Sequence, residues 1–493
     1  MKSFHTNKMI QQSYHLGRNY EYYIASSQKL YSNFQEALNG MELPKTLNPF
    51  GVYSILKKSY ILGDETMIKG LCRVPWMAEP DTQGGWEYHD LPKHGCVISP
   101  IDEVAKTLLL KLKQEVLLYI EKRETVGILL SGGMDSRVLA GVLKNIIDEE
   151  QLSTQVICFT WGLDNSRDVV YSKQIANEFK WHFTHIALTP EDLLDNIYAT
   201  ASLGAEFSPV HLHGMPKIAK HRELDIVLAA SYGDSIGRAE YSGVPLTKLS
   251  SITANRLNTF SLLTRGVEGK MGLEFGHHAT QYRRFFPREE DYQYFELERQ
   301  LHYMRRQLMA PFDIIAKDIP VRQIFTHPDT FSYMWSLSPE MRTNQIYKEL
   351  LRLLPGSLLS IPWARTGTLY ESRSPSMDNF EKNHNIYGKW LREELGQEIQ
   401  RIIKNSPLYD FPIFNKGSLK DKLYLFRKLP ATPTADQLDE RIAWLASLAV
   451  LVQNERVECN GDEKKTTLHD EFARYSSNLK ALGYKMVRKW LKN

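Results

Sequence analysis

The segment Val126-Gly127-Ile128-Leu129-Leu130 is a short, continuous apolar run that passes without a break into Ser131-Gly132-Gly133-Met134-Asp135-Ser136. Behind that loop, Val138, Leu139 and Val142 begin a helical spacing. A buried strand, a glycine turn and a helix in that order leave few folds open. The N–H groups of such a turn, together with the helix N-terminus, form an electropositive nest for phosphate oxygens. Two adjacent glycines let an anion approach the backbone without a Cβ clash, and Ser131 and Ser136 add hydroxyl donors. Asp135 would repel phosphate unless a cation lay between them, so it implies Mg²⁺. The plainer alternative is a Gly-Gly turn ending a strand, with Asp135 and Ser136 serving only as helix caps. No lysine follows the glycines at Walker A spacing, and G-x-G-x-x-G is absent, which excludes those two nucleotide loops.

The alternation continues downstream. Val156–Thr160 predicts a second strand and Asp168–Phe179 a second helix. His185–Leu188 predicts a third strand, Thr189-Pro190-Glu191 caps the next helix, and Ile226–Ala230 predicts a fourth strand. Apolar strands separated by helices define an α/β chain with a doubly wound parallel sheet. Upstream, Ser99-Pro100 opens a helix from Ile101 to Glu121, with Val104, Leu108, Leu112, Val116 and Ile120 on one face. Residues 1–97 carry Tyr14, Tyr20, Tyr22, Tyr23 and Tyr31 among turn signals, and form a small α+β N-terminal segment. Beyond Asp291 the pattern is helical, with helices expected over Glu296–Leu308, Gln345–Leu354 and Phe380–Lys404. Asp436 caps a further helix whose core stripe is Leu438, Ile442, Leu445 and Val452. The last stretch, with Lys480, Lys485, Arg488, Lys489 and Lys492, is either a docking tail or a solvated helix face. Three units follow: 1–97, 98–380 and a helical C-terminal extension over 381–493.

Composition narrows the function classes. Lys+Arg total 61 against 58 Asp+Glu, a net charge of +3 that excludes a polybasic nucleic-acid binder. With 42% apolar residues the chain is not disordered. Cys72, Cys96, Cys158 and Cys459 show no CxxC spacing, which excludes a zinc ribbon and fits a reducing cytoplasm. No apolar stretch follows Met1, and the longest apolar run, Ile442–Val452, is too short to span a bilayer, so a cytoplasmic location is expected.

The Ser131–Ser136 loop resembles the SGGxDS pyrophosphate-binding motif of the N-type ATP pyrophosphatases (PP-loop ATPases of the adenine nucleotide alpha-hydrolase-like fold). Within them, several stretches are similar to asparagine synthetase. These are Tyr60–Pro75 with Gly84-Gly85-Trp86-Glu87, Phe159-Thr160-Trp161-Gly162, Ile361–Gly367 and Arg441–Val452. The resemblance implies that Ser131, Gly132, Gly133, Asp135 and Ser136 hold ATP phosphates and Mg²⁺, and that Leu130, Phe159 and Thr160 line the adenosine pocket. The family's second motif, GEGSDE-like, is altered here to Ser231-Tyr232-Gly233-Asp234-Ser235-Ile236. Gly233 matches. Asp234 is displaced by one residue and is either a metal ligand or a loop cap. Tyr232 and Ile236 stand where the family has glutamates, and Glu240 is the nearest carboxylate. The lysine expected shortly after the tryptophan of the C-terminal motif, Ile361–Gly367, is missing, and Arg365 is the nearest cation for departing pyrophosphate. The catalytic set implied is therefore Asp135, Asp234 and Arg365, with Asp135 and Asp234 at the metal.

His211 and His213, at i and i+2, are expected to face apart on a helix. That removes a shared metal and leaves either one histidine in the acceptor pocket or two ordinary helix-start residues. Position 2 is Lys2, not the nucleophilic cysteine of a glutaminase, so no glutaminase of its own is expected. The implied activity is carboxylate adenylation followed by attack of ammonia or an amine on a small-molecule or peptide carboxylate, with a separate amidotransferase subunit as one nitrogen source. Asparagine formation and peptide or secondary-metabolite amide formation both stay open. So do a non-catalytic nucleotide-binding subunit and, less favoured by the balanced charge, a tRNA-modifying enzyme.

Overall fold

The computed structural model describes residues 21–42, 44–254, 259–370, 378–459 and 467–490, with side chains described as far as 483. Met1, Lys2, Tyr14, Tyr20 and Lys492 lie outside the described residues, as do the side chains of Lys485, Arg488 and Lys489. Lys480 is exposed on the helix Leu468–Trp490.

Five strands make the central sheet: β1 (Thr125–Leu129), β2 (Gln155–Trp161), β3 (His182–Ile186), β4 (Ile226–Ala229) and β5 (Val321–Gln323). All pairings are parallel and the order is β5-β4-β1-β2-β3. Ile128 of β1 sits between Cys158 of β2 and Leu228 of β4, and all three are buried. Buried positions on both faces explain why these strands are continuous apolar runs. The chain moves one way from β1 to β3 and the other way from β4 to β5. With right-handed crossovers this reversal makes the sheet doubly wound. The switch point lies between β1 and β4, where a crevice opens outside the strands' carboxyl ends.

Helix α1 (Ile101–Ile120) buries the five residues spaced for it, and α2 (Met134–Glu149) follows β1 directly. After β2 comes α3 (Arg167–Glu178), and after β3 comes α4 (Pro190–Ser202). The Thr189 side chain caps α4 in a reciprocal box with Asp192, and Pro190 takes the first turn, where no amide donor is needed. Helix α5 (Asn344–Leu353) packs on α1 and α2.

Two expectations shift. β3 begins at His182 and ends at Ile186, because pairing with β2 (Phe183 with Cys158, Ile186 with Trp161) sets its bounds, not the apolar His185–Leu188 stretch. The helix expected over Phe380–Lys404 starts only at Tyr387 and is interrupted at Leu395. Before it, the chain from 380 runs beside residues 162–167: Leu163 N–H donates to His384 O (2.9 Å) and Arg167 N–H to Glu381 O (2.9 Å). Asn383, His384 and Asn385 are weak helix formers, and these external bonds use the backbone that a helix would need. The short edge strand β5 has no periodicity to betray it.

A second core joins the two ends of the described chain. Leu47, Val52 and Leu56 pack with Ile197 of α4, Ile399, Ile403 and the inner face of α6 (Gln437–Glu455). Asp436 caps α6 by accepting from the Leu438 and Asp439 amides. The apolar stretch 442–452 is thus core, and among the described residues no helix is long and apolar enough to cross a membrane. Tyr22–Ile24 pairs with Leu30–Tyr31 and Leu71–Arg73, which delivers Arg73 to a buried charge cluster. Arg73 and Arg306 both ion-pair with the fully buried Glu206, at 3.0 and 2.8 Å. Breaking a buried pair leaves an uncompensated charge. Arg73→Met should therefore lower stability by about 3 kcal/mol, toward the low end because Arg306 remains. Urea unfolding followed by tryptophan fluorescence checks this.

Candidate active site

The crevice at the switch point is a cavity of about 410 Å³. Leu130, Ser131, Gly133, Asp135 and Ser136 of the glycine loop line it, with Phe159, Thr160 and Trp161 at the end of β2 and Ala229 to Ser231 after β4. Of the residues implicated from sequence, these seven stand together: Leu130, Ser131, Gly133, Asp135, Ser136, Phe159 and Thr160.

The loop is held from within. Ser131 N–H donates to Ser136 Oγ (3.1 Å), Gly132 N–H to Asp168 Oδ1 (3.1 Å), and Gly133 N–H to Ser131 Oγ (3.2 Å). Thr160 Oγ1 donates to Leu130 O, tying β2 to the loop entrance. Gly132 does not face the cavity. A Cβ there would stand 2.7 Å from Ala364 Cβ and 3.1 Å from Arg167 O, and Ala364 N–H donates to Gly132 O (3.1 Å). Behind it, the buried Arg137 guanidinium donates to four carbonyls: Leu358 (2.8 Å), Ile361 (2.6 Å), Pro362 (2.9 Å) and Gly132 (3.2 Å). The 361–365 segment is thereby bolted to the glycine loop.

Asp135 lies in the first turn of α2, and its carboxyl is shifted up by burial, opposed by Arg238. Gly233 packs on it so closely that a Cβ would meet Asp135 Oδ1 at 2.5 Å. After Gly233, a wide helical turn (Gly233–Gly237) projects Asp234 and Arg238, four apart, toward Asp135. Arg238 Nη2 ion-pairs with Asp234 Oδ1 and lies 3.4 Å from Asp135 Oδ2. Tyr232 and Ile236 are both buried in the main core. Arg365 is half exposed and pairs with Glu240 at 2.8 Å, so these two residues satisfy one another beside the loop.

Mg²⁺ was expected where Arg238 stands. Among the described residues no group of three or more His, Cys, Asp or Glu side chains is gathered to hold a metal. Asp135 Oδ1 and Asp234 Oδ1 are both buried without a hydrogen-bond partner, and Asp234 Oδ1 is taken up by the Arg238 ion pair. With Asp135 and Asp234 bridged by a guanidinium, the residues as arranged do not fit a divalent ion held by the protein itself.

The two histidines do not face apart. His211 ends a 3₁₀ turn, and His213 has a left-handed backbone (φ 47°), so the α-helical geometry that would separate them is absent and both line the cavity. His213 lies parallel to Trp161 (5.5 Å between centroids) and Tyr387 (5.8 Å), and its Nδ1 is 3.0 Å from the Tyr387 hydroxyl. Burial holds the His211 imidazole below its ordinary pKa and His213 well below it, so both are neutral at pH 7. Gly162 (φ 132°) leaves room for the His384 carbonyl, and His384 completes this wall.

Sequence reasoning missed Asp168, Arg137, Arg238 and His384. Only Arg238 left a usable trace, the i, i+4 spacing from Asp234.

The sequence matches the asparagine synthase family over residues 108–359, just over half of the 493-residue chain. The chain belongs to the asparagine synthase family. No curated relative matches it. Among solved structures it is similar to the U34-tRNA thiolase NcsA from Methanococcus maripaludis with its [4Fe-4S] cluster, at 11% identity and a TM-score of 0.24, covering 66% of this chain and 78% of that one. It is also similar to NMN synthetase from Francisella tularensis, at 13% identity and a TM-score of 0.21, covering 50% and 97%. Both likenesses are faint, and what those proteins carry or make is theirs alone. Membership of the asparagine synthase family supports an ATP-using enzyme of the pyrophosphatase type, a ligase or transferase.

Gly132→Ala should cost about 1–3 kcal/mol, because its Cβ meets backbone and a methyl that cannot swing away. Gly133→Ala, whose nearest neighbour is Ser131 Oγ at 3.1 Å, should cost less. Thermal melts of the two variants side by side measure the difference.

Proposed function

We propose that this chain is an ATP-dependent amide-forming ligase. The observation that carries the reading is the Ser131–Ser136 loop at the N-terminus of α2, opening onto a cavity at the switch point of an asparagine synthase-family sheet. A carboxylate oxygen attacks the α-phosphorus of ATP, the bond to the bridging oxygen breaks, and pyrophosphate leaves. Ammonia or an amine then attacks the acyl carbon, AMP departs, and the nitrogen gives up one proton. The loop amides and the helix N-terminus take the triphosphate, after exchanging their resting partners Ser136, Asp168 and Ser131 for phosphate oxygens. Leu130, Phe159 and Thr160 flank the adenosine. Arg365, one residue beyond Ala364, supplies charge to the leaving pyrophosphate once Glu240 releases it. His211, a neutral imidazole in the same cavity, is able to accept the amine's proton, whereas burial disfavours the protonated form of His213 more strongly. The work of the site is alignment of two substrates and compensation of charge. Any divalent ion accompanies ATP as part of the substrate.

The nitrogen donor is ammonia, a substrate amine, or ammonia delivered by a separate amidotransferase, and asparagine formation is one case of the class. A second reading, a nucleotide-binding subunit without turnover, is favoured by the burial of Tyr232 and Ile236 where the family carries glutamates.

Pyrophosphate release from ATP should depend on a carboxylate, tested first with aspartate plus ammonium and then with other carboxylates and amines. Asp135→Ala should reduce it by about 100-fold or more, the scale on which site electrostatics act. ATP binding without pyrophosphate under every pairing would replace the first reading with the second.

A further inference from the structure

Arg238 is a buried, firmly anchored charge beside the glycine loop, and nothing in the proposed chemistry uses it. Its side chain is 3% exposed. Nη2 engages Asp135 and Asp234, while Nη1 donates to Asn344 Oδ1 at 2.9 Å. The guanidinium carbon lies 5.1 Å from the centroid of Tyr347 and 5.9 Å from that of Trp363. These contacts come from α2, from its own turn, from α5 and from the segment bolted to the loop. The cation is thus fixed from four sides. A guanidinium does not give up its proton, so the charge is permanent. A divalent ion placed on the same two carboxylates would stand against that charge in a buried site, where repulsion is weakly screened.

We infer that Arg238 is a resident counter-cation that takes the place of a protein-held metal at Asp135 and Asp234, so that the site binds ATP without needing a divalent ion. The inference rests on the nucleotide-site reading above. Arg238 itself does not line the cavity; it acts through Asp135, as a positioning residue. It keeps the first-turn carboxylate from repelling the triphosphate. It also explains how the second motif can lose its glutamates: one arginine neutralises much of the charge that remains.

The test is calorimetric binding of ATP in excess EDTA and in excess Mg²⁺, together with the melting temperature in Mg²⁺ alone. The wild-type affinity should agree between the two buffers within about threefold, and Mg²⁺ alone should not raise its melting temperature. Arg238→Gln bares two carboxylates, so ATP should bind about tenfold or more weaker in EDTA, about 1.4 kcal/mol, and recover in Mg²⁺. Mg²⁺ alone should now stabilise that variant, and Arg238→Lys should behave like the wild type. Should Arg238→Gln not fold, Asp234→Asn serves instead. It removes a carboxylate but keeps the cation, so ATP binding in EDTA should hold or tighten. A wild type that binds ATP only with Mg²⁺, or one that Mg²⁺ alone stabilises, would overturn the inference while leaving the nucleotide site standing. A wild type that binds no ATP in either buffer would instead defeat the nucleotide reading, and the Mg²⁺ melting comparison would still decide the role of Arg238.

Discussion

The site depends on one buried arginine that never touches the cavity. Arg137, in the first turn of α2, donates from its two terminal nitrogens to four backbone carbonyls. Burial lowers its pKa to about 10, still well above neutrality, so it stays charged. Charge-assisted hydrogen bonds are the stronger kind, and four converging on one planar group fix direction as well as distance. The 358–364 chain has no regular structure of its own beyond a single 3₁₀ turn, so it takes its course from this guanidinium. Through it Ala364 meets Gly132, Arg365 reaches Glu240, and Trp363 lies near Arg238. The side chains closest to the loop's chemistry are thus placed by a group one helical turn behind it.

The loop does not wait with bare donors. Its three consecutive amides are satisfied by Ser136, Asp168 and Ser131, and Asp168 puts a carboxylate oxygen where an anion would sit. Binding a phosphate is then an exchange of hydrogen bonds, and each exchange returns much less than the gross strength of the bond. The selective gain comes from charge: the α2 N-terminus favours the anion, and displacing Asp168 turns an internal anion outward. On the other side Arg238 is paired with Asp135 and Asp234. Both halves of an ion pair are supplied by the protein at rest.

Much of the sheet was legible because apolar continuity is a local property. β1, β2 and β4 came within a residue or so of their true bounds, and α1 and α4 were announced by an apolar stripe and by Thr189-Pro190. β3 was displaced because its pattern is His-Phe-Thr-His-Ile, and what ends it is its partner. The glycine loop was legible for the same reason as the sheet, since strand, turn and helix are contiguous. The rest of the site was not. Asp168 and His384 reach the crevice from two other segments, and nothing in their own neighbourhoods marks them; Arg238 stands behind it, marked only by its spacing from Asp234. His211 and His213 were misjudged by a specific assumption, an α-helix at a place where the chain makes a 3₁₀ turn and a left-handed residue.

The two cores meet at His213. Trp161 belongs to the main core's margin, Tyr387 to the second core, and His213 is stacked between them. The cavity's far wall is therefore a seam, with one side set by the sheet and the other by the helical part that includes α6. Tyr387 is followed by Gly388, whose position allows no Cβ: one would fall 2.2 Å from Thr432 O and 2.5 Å from Thr434 O. Gly388 N–H also donates to Pro433 O at 2.9 Å. The helix start carrying Tyr387 is thus pinned to the segment leading into the Asp436 cap of α6. A neutral, stacked imidazole tolerates little displacement, since the ring contact and the bond to the Tyr387 hydroxyl must be kept together. In the proposed reading the loop after β1 takes the phosphates. What else fits the cavity is governed by how the helical part seats Tyr387 and His384, and the acyl or amine specificity of the proposed ligase is most directly altered there.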